Sequence, residues 1–597
     1  MQTGDRSRRI VGGMQMRRKQ IGSMVIAGAV LLSGCSQKNL GSGAGENTEA
    51  AQETGNTGRE QTAEAADGTQ EINIADMFSD RDRDAAYDEA ESAVIQLSDG
   101  GSSCGSDAVV IFQNTVTITD EGTYILSGSL SDGMVVVDAE DTDKVQLVFK
   151  GVSISNPDSA AVYIASADKV FITLAEGTEN IVSNGGTYTN VDENNIDGVI
   201  FSKADLSFNG TGKLTVTATA GHGIVSKDDL IFTGRSYEIL AAEQGMEGKD
   251  SVRIADGTYR ITSGKDGIHG ENKDDAALGF VYLAGGTFEI ASPEDDGIHA
   301  GSGVTIAGGV IDITDSYEGI EGLTVDIMGG QISVTASDDG INAAGGNDGS
   351  GMEGADGDPF ASTEGAYISI SGGNLWINAA GDGLDSNGDL KVSGGETYLS
   401  GPVNGGNSSL DYNGTAVITG GVFASTGSSG MAQNFGDSST QGTMMVRVDP
   451  QEAGTQVTLK DSTGAELLSW KGEKEYSSVL ISSPKIQQGE TYTLTAGTSE
   501  TTVSMDSLVY GNEAFRGGGV PKREKPSGGG EAPKGGEPSG NGEPPEKGED
   551  FMGSQPSMDG EAPRGQESAG GRMDPDGMKE RQEKGELPGE GTGQESQ

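Results

Sequence analysis

The chain has 597 residues, of which 98 are glycine and only 5% are aromatic, and its formal net charge is −53 at pH 7. Phosphate backbones are bound by Lys and Arg, so this charge argues against nucleic acid as a partner and favours cations and solubility outside the cell. The glycine content and scarce aromatic residues suit a thin, many-turned coil better than a set of bulky cores.

The N-terminal segment has the pattern of a secretory signal that ends in a lipobox. Basic residues at 17–19 precede an apolar run over 21–32, and the motif Leu-Ser-Gly-Cys follows and ends at Cys35. Such a signal resembles those of bacterial lipoproteins, in which the cysteine is acylated after cleavage. We expect residues 1–34 to be removed, with Met1 or Met14 as the start, and Cys35 to anchor the protein to the extracellular face of the cell membrane. The alternative is a signal peptide with a chance cysteine.

The composition of the chain changes after Cys35. Residues 36–75 are rich in Gly, Glu, Thr, Ala and Gln, which predicts a flexible linker. Strand signals are continuous over 109–217, and we assign residues 76–442 to one repetitive domain. With Cys35 lipidated, Cys104 is left without a pairing partner, so a disulfide scaffold is not expected.

A Gly-Ile, Gly-Leu or Gly-Met dipeptide returns about every 22 residues through the middle of this domain, with a few insertions. Its glycines are Gly223, Gly245, Gly267, Gly297, Gly319, Gly340, Gly383 and Gly430. A fixed period of this length indicates a solenoid. Polar and apolar residues alternate between the markers, as in 287–291 and 331–335, which is strand periodicity with no room for a helix. The sequence therefore predicts an all-β fold, a parallel β-helix with coils of about 22 residues.

Stacked coils would align equivalent residues into columns roughly 4.8 Å apart. The apolar residue after each marker glycine is predicted to point inward, and the next residue outward, because strand side chains alternate. The predicted inward ladder is Ile224, Met246, Ile268, Ile298, Ile320, Ile341, Leu384, Leu410 and Met431, where Leu410 comes from a degenerate copy of the marker with Ser409 in place of the glycine. The predicted outward column is Val225, Glu247, His269, His299, Glu321, Asn342, Asp385, Asp411 and Ala432.

The period is lost over 443–510, where short apolar and alternating runs predict a small C-terminal β unit that caps the open end of the coil. Residues 511–597 consist of Gly, Pro, Glu and Lys repeats, which predict a disordered tail.

Acidic residues recur at the turns before the marker glycines. In stacked coils their carboxylates would repel one another, and calcium neutralises such a group best because it accepts six to eight oxygen ligands. The predicted calcium ligands are Asp295, Asp296, Glu318, Glu321, Asp338, Asp339, Asp382 and Asp385. The alternative is that these are ordinary turn residues with solvated charge.

Polar outward residues and exposed aromatic planes are the candidate contacts for sugar rings. They are His269, His299, Asn342, Trp376, Asp411 and Tyr412. Alternation places Leu375 and Ile377 on one face and Trp376 on the other, so a core role for the first two puts the indole outside. The alternative is that Trp376 packs under the insertion over 343–363.

No catalytic residues are predicted. A calcium-assisted lyase needs a basic residue above the acidic cluster, and Lys265, Lys273 and Lys391 stand in no repeated relation to the acids. Paired carboxylates occur throughout the chain and do not discriminate a hydrolase.

Six runs in order, "FSDRDRDAAYDEAES", "GHGIVSKDDL", "SYEGIEG", "SDDGINAAGGNDGSG", "GDGLDSNG" and "SSGMAQNF", resemble a family of secreted clostridial carbohydrate-binding domain-containing proteins. The resemblance covers roughly 76–505. It implies a right-handed parallel β-helix similar to polysaccharide lyases, which binds calcium and plant cell-wall polymers such as cellulose or polygalacturonate without established catalysis. The family's calcium-bearing turns would map onto the eight acidic positions given above.

Together these patterns predict a monomeric surface lipoprotein that binds polysaccharide, with calcium bridging protein and ligand carboxylates, and that is not an enzyme. The alternatives are a calcium-dependent polysaccharide lyase and a structural surface scaffold whose stacked acids only stabilise the coil.

Overall fold

A computed structural model describes residues 77–186, 188, 195–344 and 362–511. The predicted signal, the lipidation site Cys35, the linker 36–75 and nearly all of the tail 511–597 lie outside the described residues. The chain divides into the units Met1–Gly517 and Gly518–Gln597, and every described residue belongs to the first. Among the described residues, no helix is both long enough and apolar enough to cross a membrane.

One short helix, Asp80–Arg83, precedes the strands. The strands before residue 190 are Ala93–Leu97, Ser103–Cys104, Val109–Phe112, Thr115–Ile118, Gly122–Leu130, Met134–Asp138, Lys144–Asn156, Val162–Ser166, Lys169–Leu174 and Glu179–Asn184. Those up to the insertion are Gly198–Ser202, Asp205–Gly210, Lys213–Ala218, His222–Ser226, Asp229–Phe232, Ser236–Ala241, Met246–Gly248, Ser251–Ile254, Thr258–Ser263, Ile268–Gly270, Phe280–Leu283, Thr287–Ser292, Ile298–Ile306, Val310–Ser316, Ile320–Ile327, Gln331–Ala336 and Ile341–Ala343.

After the insertion the coil strands are Tyr367–Ile370, Asn374–Ala379, Leu384–Ser386, Asp389–Val392, Glu396–Ser400, Leu410–Tyr412, Ala416–Ile418 and Val422–Gly427. The C-terminal strands are Thr443–Gln451, Gln456–Asp461, Glu466–Lys471, Tyr476–Ser482, Thr491–Ala496, Ser499–Ser504 and Val509–Tyr510.

The coil strands stack into three columns. In the coil that begins at residue 222, columns 1, 2 and 3 are represented by His222–Ser226, Asp229–Phe232 and Ser236–Ala241, and each pairs in parallel with its counterpart in the next coil. A turn then leads back to column 1. Together with strands that flank the coils, the columns form one hydrogen-bonded network of 38 strands. The predicted all-β, parallel architecture is confirmed. The right-handedness of the coil stays a prediction.

The register of column 1 follows the marker dipeptide. Ile224 pairs with Met246 and Met246 with Ile268, at a spacing of 22 residues, and the spacing widens to 30 where Ile268 pairs with Ile298. All inward positions from Ile224 to Leu410 are 0% exposed. The last marker was assigned wrongly: Met431 is 43% exposed, and its neighbour Ala432 is buried, so the inward ladder ends at Leu410.

The marker glycines are required by close stacking of the coils. A Cβ atom on Gly245 would lie 2.6 Å from the carbonyl oxygen of Gly267 in the next coil and 2.6 Å from Ile261 Cγ2. A Gly-Gly pair also recurs in the coils, at 285–286, 308–309 and 329–330. Its second glycine serves a different purpose, because Gly309 has φ of 107°, which L side chains rarely adopt. Two glycines per coil thus allow the tight corners of the stack.

The segment 77–87, which we call the strap, lies against the outer face of column 2. Asp82 is 2% exposed, and its carboxylate is 2.9 Å from Lys169 Nζ. Burial raises the pKa of Asp82, but hydrogen bonds from Ser79 and Lys169 outweigh it and lower the pKa overall. The strap's backbone carbonyls accept from Asn209 and Arg253. The strap therefore follows the coil axis across several coils.

Apolar and cation–π contacts also hold the strap against column 2. Phe78 packs against Tyr282 with ring centroids 6.1 Å apart, and the Arg81 guanidinium lies 4.5 Å from the centroid of the Phe171 ring. Phe171 and Tyr282 are both outward residues of column 2 and are buried. The strap consequently covers apolar outward surface that a solvated coil would leave exposed.

Some of the C-terminal strands pair with the coil, and the others form a separate sheet. Tyr476–Ser482 pairs antiparallel with Val422–Gly427, the last strand of column 3, and with Thr443–Gln451. Four further strands, Glu466–Lys471, Gln456–Asp461, Thr491–Ala496 and Ser499–Ser504, form a separate antiparallel sheet. The pairing with Tyr476–Ser482 covers the open edge of column 3, which protects it from edge-to-edge association.

We expect Gly245→Ala to lower the free energy of unfolding by about 1–3 kcal/mol, because the added methyl group overpacks the contact with the next coil. The control is Gly105→Ala, where a Cβ atom meets nothing within 4 Å. Urea unfolding of the two full-length variants measures the difference. Equal stability of both variants would contradict the role of the marker glycines in coil spacing.

Candidate metal centre

The outward residues of column 1 form one continuous line of side chains. Val225 pairs with Glu247, and the pairing continues in register through His269, His299, Glu321, Asn342 and Asp385 to Asp411. The predicted outward column is therefore observed from Val225 to Asp411. Acids of the turns between columns 3 and 1 lie beside this line.

A repeated hydrogen bond orients the turn acids. The Asp296 N–H donates to Asp266 Oδ1 at 3.1 Å, and the Glu318 N–H donates to Asp296 Oδ1 at 3.3 Å. In later coils the Asp382 N–H donates to Asp339 Oδ1, and the Ser408 N–H donates to Asp382 Oδ1. Each of these carboxylates uses one oxygen to hold the next coil, which leaves its second oxygen for other partners.

In the earlier coils the second carboxylate oxygens of the turn acids contact histidines. His269 Nδ1 lies 2.6 Å from Asp266 Oδ2, and His299 Nδ1 lies 3.0 Å from Asp296 Oδ2 and 2.7 Å from Glu321 Oε2. The two imidazole rings stack with centroids 4.9 Å apart. We call these five residues the histidine cluster.

The histidine cluster carries its own positive charge. Burial lowers the pKa of His269, but hydrogen bonds to Asp266 and Glu271 outweigh it and raise the pKa to about 9. The pKa of His299 is also raised, because its hydrogen bonds to Asp296 and Glu321 outweigh burial. Both imidazoles are therefore cationic at neutral pH, and they offset the charge of Asp266 and Glu321, whose pKa values are lowered despite burial. Burial, together with the charges of Asp266 and Glu321, raises the pKa of Asp296 to about 8 even though Asp296 bonds to His299.

In the later coils the line continues without a histidine. Carboxylate oxygens of Asp339, Asp382 and Asp385 all lie within 4.8 Å of one another, and we call these residues the aspartate cluster. Burial and then the neighbouring aspartates raise the pKa of Asp339 to about 9. Burial likewise raises the pKa of Asp382 to about 8, with Asp385 and Asp411 adding to the effect. Within the described ranges, no Lys, Arg or His is among the main causes of either pKa shift or forms an ion pair with Asp339 or Asp382.

The two clusters differ in what they can bind. The aspartate cluster offers only oxygen ligands, which suit a hard cation such as calcium. Asp296, Glu318 and Glu321 also bring carboxylate oxygens within 4.8 Å of one another, but the His299 imidazole already contacts two of these residues. A cation there would have to displace a protonated histidine. The aspartate cluster is thus the better candidate metal centre.

Six of the eight predicted calcium ligands fall into these groups of acids. Asp295 and Asp338 stand outside every such group among the described residues, although Asp338 still raises the pKa of Asp339 and Asp382 through its charge. Asp266 belongs to the histidine cluster and was missed by the sequence analysis. Its signal was its position directly before the marker Gly267, the position that Asp296 holds before Gly297.

The six predicted carbohydrate contacts are placed differently. The His269 and His299 side chains are each 13% exposed. Asn342 is 0% exposed and donates to Glu318 Oε2 at 2.9 Å, which puts it below any surface that a polymer would contact.

The other three predicted contacts lie nearer the surface. Asp411 accepts from Gln433, and the Tyr412 hydroxyl donates to the Asn434 carbonyl at 2.7 Å. Trp376 is 47% exposed, on the outer face of column 3. Trp376 therefore offers the most accessible aromatic plane among the six predicted positions.

A family model and a relative of this chain carry the same family description. A model of the carbohydrate-binding domain-containing protein family matches residues 113–356. A carbohydrate-binding domain-containing protein of Acetivibrio thermocellus is 44% identical over 191 residues, which cover 32% of this chain and 67% of that protein. A solved polysaccharide lyase-like protein from C. thermocellum, a gadolinium derivative, is 32% identical over 43% of this chain and 98% of its own, with a TM-score of 0.36. The family match contains the histidine cluster and Asp339, and it ends before Asp382 and Asp385.

We expect calcium to stabilise the protein through the aspartate cluster, by about 2.7 kcal/mol when free calcium is about 100-fold above its Kd. Asp382→Asn should remove most of this response and should also stabilise the protein in chelator at pH 8, because it relieves carboxylate repulsion. The control is Asp312→Asn at an exposed position. Urea unfolding with calcium and with chelator measures both effects, and a full calcium response in Asp382→Asn would contradict the assignment.

In chelator we expect stability to fall as the pH rises from about 6 to about 9. Asp339 and Asp382 have folded pKa values of about 9 and about 8, above the unfolded value of about 3.9, so the folded chain binds more protons in this window. The raised pKa of His269 acts in the same direction, because its stabilisation is present below about 6.5 and is lost toward about 9.

The double variant Asp339→Asn/Asp382→Asn separates the aspartate contribution from that of the histidine. We expect its stability to decline less steeply with pH than that of the wild type or of Asp312→Asn. Thermal unfolding at several pH values measures the slopes, and an unchanged slope in the double variant would show that the aspartates do not hold raised pKa values.

Proposed function

This chain belongs to the family of carbohydrate-binding domain-containing proteins, and from that premise we propose that it binds a plant cell-wall-type polysaccharide with calcium held at the aspartate cluster. The observation that carries the metal assignment is the contrast within column 1. In the earlier coils His269 contacts Asp266 and His299 contacts Glu321, whereas Asp339 and Asp382 lack a cationic partner among the described residues.

The mechanism of binding follows from the coordination needs of calcium. Calcium takes six to eight oxygen ligands, and the aspartate cluster supplies three carboxylates. The remaining positions are left for water or for ligand oxygens. A uronate polymer such as polygalacturonate would fill them with its own carboxylates, so the calcium would bridge protein and ligand. Without calcium, a chain of net charge −53 would repel such a polymer.

Cellulose is the second polymer that fits the proposal, because its rings carry no charge and present apolar C–H faces. Trp376 is 47% exposed and offers an aromatic plane for such a face on column 3. A neutral polymer would not need a calcium bridge. Dependence on calcium therefore separates the two ligand classes.

We propose a binding protein rather than an enzyme. The lysines Lys265, Lys273 and Lys391 of the regular coils are paired with other carboxylates: Lys265 with Glu243, Lys273 with Glu271 and Lys391 with Asp389. None of these partners belongs to the aspartate cluster. This pairing favours binding over proton abstraction at the calcium site, and a calcium-dependent lyase remains the alternative that the assay below tests.

We further propose that the protein is displayed on the cell surface through acylated Cys35, with the linker 36–75 as a tether. The lipobox motif in the sequence supports this placement. Monomeric display is part of the same proposal.

We expect the full-length protein to be retained on immobilised polygalacturonate in calcium and released by chelator. Asp385→Asn removes one carboxylate ligand and should reduce retention strongly, whereas Asp312→Asn should bind as the wild type does. Retention is measured as the bound fraction at fixed protein concentration with calcium and then with chelator.

The other outcomes separate the alternatives. Calcium-dependent stabilisation with no retention on polygalacturonate or cellulose would leave a structural scaffold as the better account. Absorbance from an unsaturated product, rising during incubation with polygalacturonate and calcium, would establish the lyase.

A further inference from the structure

A second concave surface lies on column 2, away from the line of acids on column 1. It is an open cleft of about 550 Å³ over the outward face of the strands Ile320–Ile327, Tyr367–Ile370 and Asp389–Val392. This volume falls within the range of about 300–1,000 Å³ that is typical of small-ligand sites. The residues that give the cleft its chemistry are Asp326, Tyr367, Asp389 and Lys391.

Register fixes the arrangement of these four side chains. Asp326 pairs with Ser369 and Ser369 with Lys391, and Tyr367 pairs with Asp389, so the residues occupy neighbouring outward positions on three stacked strands. The Tyr367 hydroxyl donates to Asp326 Oδ2 at 2.7 Å. Lys391 Nζ lies 5.8 Å from the centroid of the Tyr367 ring and 3.9 Å from Asp389 Oδ2. The cleft thus combines an aromatic ring, one cation and two carboxylates.

The strap shows how the same face of column 2 is used in earlier coils. The outward line Phe171, Ser207, Ile231, Arg253 and Tyr282 continues in register through Thr305 to Asp326. The strap lies along this line as far as Tyr282, with a ring contact and backbone hydrogen bonds. Outward residues of column 2 therefore already bind another segment of this chain along the coil axis, and the cleft begins further along the same line.

The charges of the cleft select the kind of ligand. Two carboxylates and one ammonium group leave it net negative, so an acidic sugar would be repelled there without calcium. A neutral sugar has hydroxyl groups that can donate to Asp326 and Asp389 and accept from Lys391. Its apolar C–H face can pack against the partly exposed Tyr367 ring. Lys391 and Asp389 are 59% and 42% exposed, so a ligand can reach both.

We propose that this cleft is a calcium-independent subsite for a neutral saccharide chain, separate from the aspartate cluster. The proposal rests on the proposed polysaccharide-binding function and divides it between two faces of the coil. The aspartate cluster binds an acidic polymer through calcium, and the cleft on column 2 binds a neutral one directly.

The test is isothermal titration of the full-length protein with cellohexaose in the presence of chelator. We expect binding, and we expect Tyr367→Ala to weaken it about tenfold because the ring loses its contact with the sugar face. Lys391→Met should weaken it several-fold, and its exposed position leaves folding intact. Phe112→Ala, at an aromatic residue that is 70% exposed outside the cleft, is the matched control and should bind as the wild type does.

Three results would overturn the proposal. Wild-type affinity in both Tyr367→Ala and Lys391→Met would remove the cleft as the site. Loss of binding in Trp376→Ala with wild-type affinity in the cleft variants would place the neutral polymer on column 3. Binding that needs calcium, or no binding of cellohexaose at all, would also exclude the subsite. Retention of the cleft variants on polygalacturonate in calcium reports separately on the aspartate cluster, so the two proposals can fail independently.

Discussion

In-register parallel stacking is the constraint on which the other features of this molecule depend. Neighbouring strands lie about 4.8 Å apart, so every side chain has a counterpart at that distance in the next coil. For apolar residues this produces a continuous core from Ile224 to Leu410. For acids it is costly, because two unit charges at this distance repel by roughly 3–4 kcal/mol at an effective dielectric constant of about 20. A column of acids therefore needs compensation in every coil.

The chain uses several kinds of compensation along column 1. Lys227 lies 2.8 Å from Glu247, the two stacked histidines offset the charge of Asp266 and Glu321, and an amide replaces the acid at Asn342. Among the described residues, no cationic group pairs with Asp339 or Asp382, whose pKa values are raised by burial and by the neighbouring aspartates. On the proposed function, a divalent cation supplies the missing charge and gives these coils a ligand-binding role. The cleft on column 2 needs no such ion, because Lys391 already balances one of its carboxylates.

Much of the fold could be predicted from the sequence, because a marker glycine and strict alternation fix both the register and the direction of each side chain. The outward column is observed as predicted up to Asp411, and the pattern fails at Met431, where the column 1 pairing has ended. The glycines serve two different needs, because Gly309 supplies a positive φ, whereas Gly245 is required by the close approach of the neighbouring coil. The strap and the cleft could not be predicted, because both depend on contacts between residues that are distant in sequence: Asn209 binds the carbonyl of Asp82, and Asp326 binds the hydroxyl of Tyr367.

On the proposed function, the aspartate cluster holds calcium and the histidine cluster does not, because His299 already contacts Asp296 and Glu321. Crystals grown in calcium chloride, with anomalous-difference maps calculated from long-wavelength data, distinguish the two sites. We expect an anomalous peak coordinated by Asp339, Asp382 and Asp385 and none between Asp296, Glu321 and His299. A peak at the histidine cluster alone, or no peak at the aspartate cluster at saturating calcium, would overturn this assignment.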